Sequence, residues 1–180
     1  MPDTGLIYAT TCSNDSTVGT KDWSNPTLAE GNDTNQASCS GAGLGATLTH
    51  YLVGEFTTGL DASHAIVGIE IAFNRYYIRD TGSTTCNDSS IKLFKNSTLG
   101  SSEKSSGTAW PLNAAAWSGN YGGPTDLWGH GSISGADTIK IAVSASLGSK
   151  YISGRILAFR ATVYYTDAPS GEVKKRVVFF

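Results

Sequence analysis

The sequence predicts an all-β protein, an antiparallel two-sheet β-sandwich of jelly-roll-like topology with extended terminal arms. Gly, Ser, Thr and Asn are abundant and charged residues are only 16% of the chain, which is typical of short strands joined by many turns. Several segments alternate apolar and polar residues with the period of a strand, and the short connections between them favour antiparallel pairing. At 180 residues, the chain is long enough for one domain with a substantial core.

The first part of the chain has the pattern of an arm and loops. Residues 5–10 are a short strand or arm and residues 12–21 a polar loop, so we assign residues 1–19 to an N-terminal arm and loop. A proline stops any regular element soon after Trp23, whose ring is available to pin the loop to the body. A brief strand is predicted at residues 34–38.

The strand pattern strengthens in the middle of the chain. A strand with one irregularity is predicted over residues 48–56, and a second over residues 67–73, where alternation indicates one buried face. Arg75 breaks this alternation, and residues 76–78 restart it in another phase. We therefore expect a bulge or bend near Arg75.

The second half of the chain predicts two long strands. Residues 139–147 and 157–165 alternate most regularly and are expected to form an antiparallel pair. The preceding segments are predicted to be a loop at 80–90, a strand from Ile91 to Lys95, a connection at 96–108 and a single helical turn at 111–116.

We assign the sandwich to residues 20–166 and a linker with a strand-like tail to residues 167–180. The apolar end of this tail would be an aggregation hazard if it were left in water. It either returns to its own domain as an edge strand or inserts into a neighbouring subunit, and we favour insertion. The candidate assembly contacts are Val173, Lys174, Lys175, Arg176, Val177, Val178, Phe179 and Phe180.

Charge and hydropathy exclude two classes of partner. The net charge of -2 and pI near 5.9 give no field for gathering phosphates, so we predict no nucleic acid partner. There is no apolar run near 18 residues, and residues 1–4 lack the features of a signal peptide. We therefore expect no membrane insertion, and synthesis in a cytoplasm.

We predict no catalytic residue, no cofactor and no metal ligand, so the protein is not expected to be an enzyme. The glycines of residues 41–45 match neither dinucleotide-binding nor P-loop spacing. His50, His64 and His130 have no G-x-S-x-G nucleophile elbow to accompany them. No spacing singles out a pair of carboxylates for glycoside cleavage, and no known calcium-loop pattern organises the aspartates.

Three cysteines, Cys12, Cys39 and Cys86, cannot all pair within one chain, and none lies in a C-x-x-C arrangement. Zinc binding is therefore not expected. A disulfide between Cys12 and Cys39 would close the N-terminal loop, but we favour three reduced residues.

Aromatic residues, glycines and turn-forming residues are concentrated in residues 117–131, where Gly122-Gly123-Pro124 excludes a helix. Two interpretations are open. The residue types suit a sugar-binding platform, in which flat rings stack on a pyranose and polar groups bind its hydroxyls. Alternatively, the rings cap one end of the sandwich, which we favour. The candidate glycan-binding residues are Trp117, Tyr121, Asp126, Trp128 and His130.

Four motifs follow one another in a recognisable order: Trp23-Ser24-Asn25-Pro26, Ile66-Val67-Gly68-Ile69-Glu70-Ile71, Tyr121-Gly122-Gly123-Pro124-Thr125-Asp126-Leu127-Trp128-Gly129 and Val163-Tyr164-Tyr165-Thr166. Together they resemble a family of small β-sandwich structural proteins of tailed bacteriophages. The resemblance covers residues 20–166. It implies a non-enzymatic virion component, either a capsid cement or decoration protein or a part of a tail or fibre.

Our principal hypothesis is therefore a virion structural protein, made in the host cytoplasm, that assembles through its terminal arms. Its expected partners are other copies of itself, most simply in a trimer, and other virion proteins. The alternative hypothesis is a carbohydrate- or receptor-binding β-sandwich module that uses the loop from Trp117 to Trp128.

Overall fold

The computed structural model describes residues 1–42, 45–149 and 151–167. Within these ranges it contains thirteen strands and one 3-10 turn at Pro26–Ala29. The strands are β1 (Ile7–Tyr8), β2 (Thr11–Asp15), β3 (Ala37–Ser40), β4 (Thr47–Leu48), β5 (Tyr51–Phe56), β6 (His64–Arg79), β7 (Cys86–Lys95), β8 (Thr98–Leu99), β9 (Ala116–Trp117), β10 (Tyr121–Gly123), β11 (Ile133–Ser134), β12 (Ile139–Leu147) and β13 (Ile152–Asp167).

The strands form two antiparallel sheets that pack face to face. Sheet A has the order β1-β13-β6-β10, with β3 paired to β13 and with β9 and β11 paired to β6. Sheet B has the order β2-β5-β12-β7-β8, with β4 paired to β12. The inner faces of both sheets share one hydrophobic core. The predicted antiparallel two-sheet β-sandwich is thus confirmed.

The expectation that the last two long strands pair with each other is wrong. β13 pairs with β6 in sheet A, whereas β12 pairs with β5 and β7 in sheet B. Both strands bury their apolar faces in the same core. Alternation along a strand shows which face is buried but not whether a neighbour lies beside it or across the core.

β6 continues without interruption through Arg75, whose side chain points into the sandwich and is 3% exposed. It keeps the phase of the buried Phe73 and Tyr77, so the predicted restart of the pattern is wrong. The irregularity lies on the partner strand, because the pairing shifts between Ile156 and Ala158 opposite this part of β6. A charged residue on the inner face broke the apolar pattern although the backbone did not change phase.

The N-terminal segment belongs to the sandwich rather than lying outside it. β1 pairs with β13 and β2 pairs with β5, so residues 1–19 contribute one strand to each sheet. β2 occupies part of the predicted polar loop, and Cys12 is its buried residue. Trp23 pins the following loop as predicted, and its Nε1 donates to the carbonyl of His50 at 3.0 Å.

The strand predicted over residues 48–56 is present, whereas the loop predicted at 80–90 is shorter and the helical turn predicted at 111–116 is absent. The irregular strand predicted over residues 48–56 is the pair β4 and β5. β7 begins at Cys86, inside the predicted loop, and residues 111–116 are not helical because their backbone pairs with β6 around Tyr77. The candidate assembly contacts Val173, Lys174, Lys175, Arg176, Val177, Val178, Phe179 and Phe180 lie outside the described residues.

A buried carboxylate connects the two sheets. Asp88 of β7 is 3% exposed and accepts hydrogen bonds from Trp110 Nε1 at 2.6 Å and from Tyr121 OH at 2.7 Å. Arg75 of β6 lies 3.5 Å from the same carboxylate and 4.7 Å from the centre of the Phe73 ring. A buried charge is tolerated only when it is paired and hydrogen-bonded, and these three donors meet that requirement for Asp88.

We predict that Asp88→Ala lowers the free energy of unfolding by about 3–5 kcal/mol, because Arg75 then remains buried without a partner. Urea unfolding followed by fluorescence measures the change. Asp80→Ala, in an exposed loop, is the control and should change stability by less than about 0.5 kcal/mol. Equal small effects of both substitutions would contradict the role assigned to Asp88.

Candidate functional site

The aromatic stretch at residues 117–131 is held against sheet A by its backbone. β9 and β10 both pair with β6. Gly122 lies between β6 and the Trp128 ring at a φ of 78°, and a Cβ there would collide with the Ile69 carbonyl and with the indole. A glycine is therefore required at this position.

Trp128 is fully buried and is not available to a ligand. Its exposure is 0%, and its Nε1 donates to the carbonyl of Ile69 at 2.9 Å. Its backbone N–H donates to Asp126 Oδ1 at 2.8 Å. The proposal of Trp128 as a stacking ring for a sugar is thus contradicted, and its role is packing.

Asp126 and His130 also serve the packing of this stretch. Asp126 Oδ2 lies 2.5 Å from Lys104 Nζ, and His130 Nε2 lies 3.2 Å from the carbonyl oxygen of Leu93. Burial acts to raise the pKa of Asp126, but its hydrogen bonds with Lys104 and the Trp128 amide hold that pKa below its usual value.

Tyr121 turns its hydroxyl into the interior, where it donates to Asp88. Its ring stacks on Phe73 with the centroids 5.7 Å apart and an angle of 14° between the planes. Burial and the neighbouring Asp88 carboxylate raise the pKa of Tyr121. Tyr121 therefore joins the core network instead of presenting a hydroxyl to a ligand.

Trp117 differs from the other candidates because it lies on the outer face of sheet A. It pairs with Asn74 of β6 and is partly exposed. Arg160 of β13 places its guanidinium carbon 4.2 Å from the centre of a Trp117 ring, and the Tyr8 ring lies 6.2 Å away. The structure thus separates Trp117 from Tyr121, Asp126, Trp128 and His130.

The indole N–H groups also set Trp117 apart. Trp23, Trp110 and Trp128 donate theirs to the His50 carbonyl, the Asp88 carboxylate and the Ile69 carbonyl, respectively. Within the described ranges, the indole of Trp117 has no such hydrogen bond. Three of the four tryptophans in the sequence are therefore fixed to the interior.

A hollow of about 130 Å³ lies beside Arg160 on this face. Glu70 stands at one side of it and accepts a hydrogen bond from Asn120 Nδ2 at 2.7 Å. Its full lining is Leu6, Glu70, Ile71, Ala72, Asn120, Arg160 and Ala161. The face thus combines an aromatic ring, a small apolar floor, hydrogen-bond donors and hydrogen-bond acceptors.

Sequence reasoning found Trp117 but missed Arg160, Glu70 and Tyr8. The signal was present, since Arg160 and Glu70 occupy polar positions of alternating strands. What the sequence did not show was that β1, β13, β6 and β9 lie side by side.

Two of the three histidines pair with aspartates. His50 Nδ1 lies 2.8 Å from Asp22, and His64 Nδ1 lies 2.9 Å from Asp61. The hydroxyl of Ser63 faces the same ring nitrogen of His64, at 3.4 Å. In a catalytic triad the base and the nucleophile use different imidazole nitrogens, so this cluster does not have the geometry of one.

The described part of the chain has neither a metal-binding cluster nor a membrane-spanning helix. It contains no group of three or more His, Cys, Asp or Glu side chains placed to hold a metal ion. Among its elements no helix has both the length and the apolarity needed to cross a membrane.

No protein-family model matches the chain, and no curated protein matches it. Among solved structures, the chain is similar to the carbohydrate-binding module TmCBM61 in complex with β-1,4-galactotriose. That match has a TM-score of 0.43 and 16% identity and covers 83% of this chain and 85% of the other.

A second similar structure is the CBM22-1 xylan-binding domain of Xyn10C from Paenibacillus barcinonensis. Here the TM-score is 0.45 and the identity 7%, with 91% of this chain and 96% of that one covered. With both TM-scores below 0.5, neither structure determines what this chain binds.

The three cysteines are buried free thiols on inner faces of the sandwich. Burial raises the pKa of Cys12 and of Cys39 to about 12, and it raises the pKa of Cys86 as well. The disulfide considered between Cys12 and Cys39 is absent. Because the thiolate is the nucleophile, raised pKa values predict inert cysteines.

We predict that iodoacetamide at pH 8 does not alkylate the folded protein but adds to all three cysteines in urea without a reducing agent. Mass spectrometry counts the adducts. A single adduct in urea would reveal a disulfide, and rapid labelling of the folded protein would contradict the burial of the thiols.

Proposed function

We propose that the protein is a non-catalytic carbohydrate-binding β-sandwich module whose ligand lies on the outer face of sheet A. The observation that carries this proposal is the position of Trp117. Its ring is partly exposed, is supported by Arg160 and lies near a hollow that has both donors and acceptors.

The ring of Trp117 suits the apolar face of a sugar. Aromatic rings present a large flat apolar area, and the C–H groups of a pyranose pack against it. β9 fixes the backbone of Trp117 against β6, and the guanidinium of Arg160 packs on its ring. Little side-chain freedom is then lost on binding, which favours affinity.

The polar groups of the hollow suit sugar hydroxyls. The Glu70 carboxylate is an acceptor, the Arg160 guanidinium is a donor and the Asn120 amide is both. The small side chain of Ala72 forms part of the apolar floor of the hollow. The lining contains one carboxylate, whereas glycoside hydrolysis uses a pair, which supports binding without cleavage.

A virion role and virion localisation, implied by the phage resemblance, stay predictions. The tail to which that hypothesis assigns assembly lies outside the described residues. A glycan-binding face is compatible with a tail or fibre component that contacts a cell surface.

We predict that a glycan array or affinity electrophoresis in polysaccharide gels detects binding, and that Trp117→Ala weakens it. Trp117 is only partly buried, so the variant should keep its fold and most of its stability. Loss of the ring removes about 1–3 kcal/mol of stacking, a weakening of roughly 5- to 150-fold.

Phe94→Ala is the matched control, because Phe94 is a partly exposed aromatic residue on the outer face of sheet B. It should leave binding unchanged. Trp128→Ala should instead cost about 3–5 kcal/mol of stability, as for other buried aromatic residues. A folded Trp117→Ala variant that binds as tightly as the wild type would refute the proposal.

A further inference from the structure

We propose that the outer face of sheet A selects acidic polysaccharides and binds their uronate carboxylates through Arg155 and Arg160. This inference rests on the proposed carbohydrate-binding function and names the class of glycan. Both arginines belong to β13, and both side chains lie on the outer face of the sheet.

The two guanidinium groups are placed along one track. Arg155 pairs with Tyr76 and Arg160 pairs with Ala72, so they lie four residues apart along β6. At roughly 3.4 Å per residue, this separation is about 14 Å. An extended polysaccharide lying along β6 and β13 would meet both arginines.

Each guanidinium is held by an aromatic ring. Arg160 lies 4.2 Å from the centre of a Trp117 ring, and Arg155 lies 5.8 Å from the centre of the Tyr76 ring. Tyr76 is itself fixed, because its hydroxyl donates to Gln36 Oε1 at 2.6 Å. Packing against a ring orients the planar guanidinium and leaves donors at its edge for an anion.

Neither guanidinium has an ion-pair partner among residues 1–42, 45–149 and 151–167. Three lysines near sheet B differ, since Lys95, Lys104 and Lys140 lie 3.4, 2.5 and 2.8 Å from Asp137, Asp126 and Glu55. Unpaired positive charge is thus present on the outer face of sheet A. A guanidinium pairs with a planar carboxylate through two parallel hydrogen bonds, which favours uronates as its ligand.

Each arginine also lines a hollow that contains one carboxylate. Arg160 shares its hollow with Glu70, and Arg155 lines a second hollow of about 200 Å³ together with Asp80 and Ser153. A uronate residue needs a cation for its carboxylate and acceptors for its hydroxyls, and each hollow has both. The repetition along one track indicates a polymer rather than a single sugar.

The test compares matched polymers that differ only in charge. Polygalacturonate, alginate and hyaluronate are each measured beside their carboxyl-reduced forms, together with neutral polysaccharides, by affinity electrophoresis and calorimetry. At least one acidic polymer should bind about tenfold more tightly than its reduced form. Arg155→Gln and Arg160→Gln should each remove about threefold or more of that affinity. Arg160→Lys, which keeps the charge but not the planar fork, should not restore it fully.

Lys92→Gln is the matched control, because it removes one charge from the outer face of sheet B. It should leave the affinity unchanged. Equal binding of acidic and reduced polymers would overturn this inference while the proposed function stands. The inference would also be overturned if dextran sulfate bound as tightly as the uronates and Lys92→Gln lost as much affinity as the arginine variants. Binding would then be general attraction to polyanions. If no polymer of either kind binds, the proposed function itself fails.

Discussion

The arrangement of this protein depends on one buried carboxylate, Asp88. It accepts hydrogen bonds from Trp110 and Tyr121 and lies beside the buried guanidinium of Arg75. These partners come from β6, β10 and the connection that follows β8, so one group links both sheets and a long loop. Because an uncompensated buried charge is costly, alternative registers of these elements are disfavoured.

This network also explains how one aromatic stretch divides between the core and the surface. Tyr121 is drawn inward to Asp88, and Trp128 is buried against the backbone of Ile69. Trp117 lies on the opposite side of sheet A, where β9 pairs with β6. A rigid interior therefore supports an outer face on which Trp117 and Arg160 are held in position before any ligand binds.

Sequence patterns predicted the fold class and the faces of the longest strands, because alternation records which side chains are buried. They did not predict that β12 and β13 lie in different sheets, since partner choice depends on long-range packing. The inward position of Arg75 was not predicted, because a charge on an inner face is tolerated only through the distant Asp88. Trp117 was identified as a candidate, but Arg160 and Glu70 were not, because their proximity depends on strand order.

The most direct test of carbohydrate binding on sheet A is a two-dimensional ¹H–¹⁵N NMR titration with a soluble oligosaccharide from a polymer that the protein retains. We predict shifts of the Trp117 indole N–H and of the Ala72, Asn74 and Arg160 amides, with the indole signals of Trp23, Trp110 and Trp128 unchanged. Shifts confined to the outer face of sheet B, around Val53, Phe94 and Lys140, would contradict the account.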